Sequence, residues 1–168
     1  MKRELAVVFV FLLLGIPARV FAKADISKIT LQGGDLKAPI AIKNPKTLAT
    51  LDIWSGPGTS GWIGASPGDA DRFLIDWFHG VTERPQGLQP YQLSFCAKWP
   101  TERVIYVVFY EYDPATEHGY IYLPGRTDEW YRLNVGTIFR GAEGYWFRAG
   151  SRWDMVASRL ILDAKAQG

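Results

Sequence analysis

Residues 111–118 hold the densest set of groups that could do chemistry: Glu111, Asp113, Glu117 and His118. Two carboxylates in unlike surroundings can share acid–base work, because burial pushes their pKa values apart. With a histidine beside them they could also hold a divalent metal. Glu111, Asp113 and His118 are therefore the candidate catalytic residues of a small hydrolase or metal-dependent enzyme. The competing reading is structural, since Asp before Pro114 and Gly119 after the run are ordinary turn residues.

The other reactive types give less. His79 stands near Asp76 and Glu83 in sequence, but no H-x-x-x-H spacing is present, so a turn histidine is the better reading. Cys96 is the single cysteine, which rules out an intrachain disulfide, and no base sits at a telling distance along the chain. It reads as a small, half-buried strand residue. Residues 56–61, Gly-Pro-Gly-Thr-Ser-Gly, match G-x-G-x-x-G, with Asp76 twenty residues beyond the first glycine. The third glycine of a dinucleotide site must open a helix whose N–H groups meet the pyrophosphate, and Gly64, Pro67 and Gly68 forbid that helix. No cofactor motif and no set of metal ligands emerges.

Aromatic residues make up 14% of the chain, enough to be a second source of function. Trp54, Trp62, Trp130 and Trp146 fall at strand ends or in loops and are the candidate ligand-binding residues. Such rings can stack on a sugar or grip a protein surface; they can also plug the ends of a core. Arg126, Arg132, Arg140 and Arg148 punctuate the same region, interleaved with Asp128, Glu129 and Glu143, which favours surface ion pairs.

The elements that must position these residues centre on 103–125. Residues 104–112 are an almost unbroken β-branched and aromatic run, the signature of a strand covered on both faces. Asp113-Pro114 ends it, and residues 120–123 return as a shorter strand. Before this hairpin come strands at 26–31 and 40–42, turned by Gly33-Gly34, and a short helix capped by Asn44 with Pro45 in its first position. Residues 55–69 form a long loop, and 72–78 read as a strand. Residues 91–99 alternate cleanly, with Tyr91, Leu93, Phe95, Ala97 and Trp99 on one buried face. Residues 130–139 read as a strand bulged at Gly136, and 145–149 as a short last strand. The C-terminal stretch is a helix with an apolar stripe of Trp153, Val156, Ala157, Leu160, Ile161 and Ala164, and Ser151 with Asp154 resembles a capping box.

By strand parity Glu111 shares a face with Ile105, Val107 and Phe109. A carboxylate there must lie near the sheet edge and meet a tyrosine hydroxyl or an arginine, with Arg132 and Arg148 the nearest candidates. The expected architecture is α+β: a mainly antiparallel twisted β-sheet with the C-terminal helix packed on one face. A β-sandwich with a terminal helix is the alternative; the two separate on whether Trp153, Val156 and Leu160 pack on the central strand.

Residues 1–22 read as a signal peptide. Met1-Lys2-Arg3 is a basic start, residues 5–16 an apolar core, and Val20-Phe21-Ala22 places cleavage after Ala22. Residues 23–168 then form one globular domain without a stable membrane span, and its destination is the periplasm or the medium. Of the 19 basic and 17 acidic residues, the signal takes Lys2, Arg3, Arg19 and Glu4, leaving equal numbers of each sign. A mature chain of zero formal net charge with no basic tract argues against nucleic acid as a partner.

Several runs resemble a family of small exported bacterial proteins with no assigned function: Trp54-Ser55-Gly56-Pro57-Gly58; Tyr110-Glu111-Tyr112-Asp113-Pro114 with Gly119-Tyr120-Ile121-Tyr122-Leu123-Pro124-Gly125; and Glu129-Trp130-Tyr131-Arg132-Leu133-Asn134. The resemblance implies export and a single domain, and it carries over no site residue. The expected function is a non-catalytic binding or accessory module, whose partner is a cell-envelope glycan or protein.

Overall fold

In the computed structural model, which describes residues 25–98 and 100–166, the apolar run after Arg103 becomes the middle strand of a sheet. In chain order the strands are β1 (Ile26–Gly33), β2 (Ile40–Ile42), β3 (Val81–Thr82), β4 (Pro90–Lys98), β5 (Glu102–Asp113), β6 (His118–Tyr122) and β7 (Trp146–Arg148). The helices are α1 (Pro45–Thr50), α2 (Tyr131–Thr137) and α3 (Ser151–Ala166). The sheet runs β2-β1-β4-β5-β6-β7-β3 with every neighbouring pair antiparallel. The architecture is α+β as expected, and the sandwich alternative falls away. Trp153 of α3 meets Tyr110 of β5 edge-on, with ring centroids 5.4 Å apart. The expected signal peptide, residues 1–22, and the inward position expected for Trp99 lie outside the described residues. Among the described residues no helix is long and apolar enough to cross a membrane.

Strand register sorts the side chains into two faces. Ile29, Phe95 and Tyr106 lie opposite one another, as do Leu31, Leu93 and Val108, and Tyr91, Tyr110, Ile121 and Phe147. These rows join Leu48, Leu51, Ile53, Trp153, Ala157 and Ile161 in one apolar core. Each fully buried Leu, Ile or Phe there contributes about 1.5–3 kcal/mol. The other face carries Ser94 opposite Val107, and Pro90, Glu111, Tyr120 and Arg148 in one row. A bulge at Ile105, where Tyr106 pairs Phe95 but Val104 pairs Cys96, keeps Ile105 in the core although its parity says otherwise. Ser94 and Cys96 are also buried, so β4 is covered on both sides rather than one. At the N-terminal end, the side chain of Asn44 accepts from the N–H of Lys46 at 2.9 Å and of Thr47 at 3.3 Å, and Pro45 opens α1.

Three expectations need correction. Residues 130–139 are not a strand: residues 131–137 are helical. The reason is the free edge of β5. β6 pairs only with Phe109–Asp113, which leaves the backbone of Ile105 and Val107 without a strand. The side-chain amide of Asn134 supplies what is missing, accepting from Val107 N–H at 2.9 Å and donating to Val107 C=O at 2.6 Å. Thr137 donates its hydroxyl to Ile105 C=O at 2.6 Å. A helix turns Asn134 and Thr137, three residues apart, to the same side, where a strand would point them to opposite faces. Residues 72–78 are not a strand either. A 3-10 turn (Pro67–Arg72) leads to a single bridge between Ile75 and Ala149. The Asp76 carboxylate then accepts from the N–H groups of Phe78 and His79, both at 3.1 Å, and folds the chain into a turn. Finally, Ser151 and Asp154 form no capping box, because Asp154 turns into the protein.

Asn134 does the work of a missing strand, so removing it should be costly. Asn134→Leu leaves one buried N–H and one buried C=O unpaired and should lower stability to chemical denaturant by about 2–4 kcal/mol, and Asn134→Asp, which keeps the acceptor but turns a second oxygen toward Val107 C=O, should lose at least as much near neutral pH.

Candidate functional site

On the face opposite α3, register alone lines up Gln92, Phe109, Tyr122, Trp146 and Thr82 across five strands. The three rings stand directly opposite one another on adjacent strands, close enough to interact. Phe109 and Tyr122 lie 6.4 Å apart, and Tyr122 stacks on Trp146 at 5.1 Å with planes 29° apart. All three are half-buried, so each keeps part of its face open. Tyr122 donates its hydroxyl to Asp128 at 2.7 Å, and Asp128 also accepts from Gly125 N–H at 2.7 Å. Burial, and then the bond to Asp128, hold the Tyr122 phenol above its usual pKa.

Glu111 sits one row over from these rings, fully buried and directly across from Tyr120. Arg84 donates to its Oε1 at 3.0 Å and lies over the Trp146 ring at 5.5 Å from the centroid. The Arg84 side chain is itself 59% exposed. The second oxygen, Oε2, is buried with no hydrogen-bond partner among the described residues. Burial pushes the Glu111 carboxyl up, and the hydrogen bond and charge of Arg84 pull it back down. The expected arginine is thus present, but it is neither Arg132, which is exposed on α2, nor Arg148, two strands away in the same row. Nor is Glu111 at a sheet edge: β5 is the middle strand.

The remaining candidates go elsewhere. Asp113 accepts from Ala115 N–H and Thr116 hydroxyl, both at 2.9 Å, and the Ala115 bond leads the causes that hold its carboxyl below the usual range. His118 pairs with Asp113 in the ladder and is exposed. The hydrogen bonds of Glu111 and Asp113 therefore run to separate groups. Among the described residues no group of three or more His, Cys, Asp or Glu is placed to hold a metal ion. Trp62 stacks on Phe78 at 5.2 Å and meets Phe73 at 5.7 Å, holding the long loop together. Trp54 lines a cavity of about 340 Å³ with Asp52, Phe73 and Arg152, and Trp130 sits at the start of α2. Of the four tryptophans only Trp146 belongs to the ring row. Cys96 is buried, and burial raises its thiol, which keeps it protonated.

Three groups were missed at the sequence level. Arg84 lies in a polar loop with no local signal. Asp154 lies at the wall of a second cavity, about 570 Å³, between α3 and the β5–β6 hairpin. It is 8% exposed and accepts from Tyr110 hydroxyl at 3.0 Å and Gly119 N–H at 2.9 Å. A Cβ on Gly119 would come within 2.1 Å of Asp154 Oδ1, so only glycine admits this contact. Burial drives the Asp154 carboxyl above its ordinary value, opposed by those two bonds and by the nearby His118.

The third is Arg140, the occupant of the glycine-rich loop. Its guanidinium donates to the carbonyls of Ile53, Ser55 (3.0 Å) and Pro57 (2.9 Å) and to Tyr106 hydroxyl at 3.2 Å, and it lies 5.3 Å over the Trp77 ring. Gly56, at φ +97°, has no room for a Cβ beside Trp77 and Arg140. The G-x-G-x-x-G run is an arginine cradle, and Gly61 lies in a single 3-10 turn (Ser60–Trp62).

No family model matches the chain, no curated protein matches it, and no solved structure matches it.

Two outcomes test these assignments. Arg140→Lys cannot reach three carbonyls and a phenol at once; it should lose about 2–4 kcal/mol of stability and open residues 55–69 to limited proteolysis. Asp154→Asn can still accept from Gly119 N–H and should cost less than Asp154→Ala. Because the folded pKa of Asp154 is raised, its contribution is fully present below the unfolded value and is lost as pH rises through the folded one. The stability of Asp154→Asn relative to the parent should therefore increase with pH across that window, as read from denaturation midpoints at a series of pH values.

Proposed function

We propose that the chain is an exported, non-catalytic module that binds a cell-envelope glycan through the ring row Phe109–Tyr122–Trp146. The observation that carries this is the stack itself: three half-buried aromatic rings side by side on one sheet face, held by backbone register rather than by loop conformation. Rings fixed on strands lose little entropy when a sugar face settles on them, which favours binding. Hydrogen-bonding groups flank them in the same row, as a saccharide's hydroxyls require: Gln92 and Thr82. Export rests on the basic start, the apolar core and the Val20-Phe21-Ala22 site of the N-terminal segment.

The alternative, a small hydrolase or metal-dependent enzyme on Glu111, Asp113 and His118, asks for convergence. Glu111 bonds Arg84 and Asp113 bonds its own turn, which speaks against that convergence.

The purified protein, screened on a glycan array and against insoluble envelope polysaccharide, should retain at least one saccharide. Trp146→Ala should weaken that binding at least tenfold, about 1.4 kcal/mol, without lowering the melting temperature much. Trp62→Ala should do the reverse, losing stability while the folded fraction still binds. No saccharide retained, or unchanged binding by Trp146→Ala, would refute the proposal.

A further inference from the structure

The Glu111 carboxylate is over-provided for a structural ion pair and under-satisfied for a buried one. It has no exposed surface, yet only Oε1 is bonded, and the bond goes to a side chain standing mostly in water. Leaving a buried charged oxygen unpaired is costly, so Oε2 calls for a partner from outside the chain, water or a ligand. The surroundings say what that partner is. Arg84 presses a cation between a carboxylate and the π face of Trp146, and Trp146 is backed by Tyr122. A carboxylate beside an aromatic face selects a cation. Arg84 lies two residues past β3, in the stretch that leads to Gly87, which is at positive φ and where even an added Cβ would meet nothing within 4 Å. The protein's own guanidinium thus shows the chemistry of the site while being held there by one loop.

We infer that the glycan bound by the ring row carries free, protonated amino groups, and that one such ammonium takes the place of Arg84 at Glu111 while its sugar ring stacks on Trp146. This rests on the saccharide reading above and narrows it to de-N-acetylated amino-sugar polymers. The exchange replaces one cation by another, so Glu111 keeps its charge balance, and a primary ammonium with three donors can engage Oε2 as well as Oε1. A neutral or acetylated sugar offers no cation and would have to displace Arg84 uncompensated.

Three soluble β-linked oligosaccharides of equal length separate the outcomes: one fully de-N-acetylated, one fully N-acetylated, and one glucan without nitrogen. Binding to the purified protein is measured by calorimetry at mildly acid pH and low salt. The amine-bearing oligomer should bind at least tenfold more tightly than the other two. Glu111→Gln should erase that preference, and Arg84→Ala, which removes the internal competitor, should raise affinity for the amine oligomer severalfold. Circular dichroism and melting curves establish that each variant is folded; should Glu111→Gln fail to fold, the preference of the parent protein and the effect of Arg84→Ala decide alone. Equal binding of all three oligomers, a preference that survives Glu111→Gln, or weaker amine binding by Arg84→Ala would overturn this inference and leave the saccharide reading standing. Binding of none of them would overturn this inference, and only together with an empty glycan array would it overturn the saccharide reading as well.

Discussion

A central β-strand has two edges, and every N–H and C=O along both must find a partner. For β5 this requirement organises the molecule. β4 satisfies one edge over nearly its whole length, and β6 satisfies the other only from Phe109 onward. The stretch at Ile105 and Val107 is completed by side chains of α2. An amide side chain presents one donor and one acceptor at the spacing of a peptide group, so Asn134 closes the edge with a single residue. Because the edge is closed there, β6 and β7 can be short, and the sheet continues past them to β3 only at its other end.

That truncation is also what exposes the ring row. Residues opposite one another on adjacent antiparallel strands share a face, so Phe109, Tyr122 and Trp146 stack because of where the ladder starts and stops. Glu111, two residues along β5 on the same face, is placed by the same parity beside Tyr120. Its burial raises its affinity for a proton, and the guanidinium of Arg84 opposes this. The opposite face shows the contrasting solution: Asp154 is buried too, but both of its oxygens are bonded, to Tyr110 and Gly119. The two buried carboxylates thus differ: Asp154 is bonded at both oxygens, Glu111 at one among the described residues.

Where the chain's local pattern agreed with its tertiary setting, it could be read directly. The run 104–112 is a covered strand whatever surrounds it, and alternation put Glu111 on the face it occupies. The cap at Asn44 and the stripe from Trp153 to Ile161 are equally local. Residues 130–139 misled because their β-branched and aromatic content matches a strand; what makes them helical is a backbone edge on β5, invisible from their own composition. Residues 72–78 misled because Asp76 spends its side chain on the backbone. The candidate site was half legible: Glu111 and Trp146 could be named, but Arg84, Tyr122 and Phe109 join them only through strand register. Asp154 and Arg140 looked like a cap and a surface charge until the groups they bond, from Tyr106 and Ile53 to Gly119, came within reach in space.

The cradle around Arg140 also sets an order of events for the chain as it is made. Its three carbonyl partners precede it by 83 to 87 residues. None of those bonds can form until most of the polypeptide has left the ribosome, and β1 likewise waits some sixty residues for β4. Contacts so distant along the chain close late and slowly, because loop entropy must be overcome before they reward it. The N-terminal third can form the β1–β2 pairing and α1 on its own, but its place beside β4 and the closing of the arginine cradle wait for the rest of the chain.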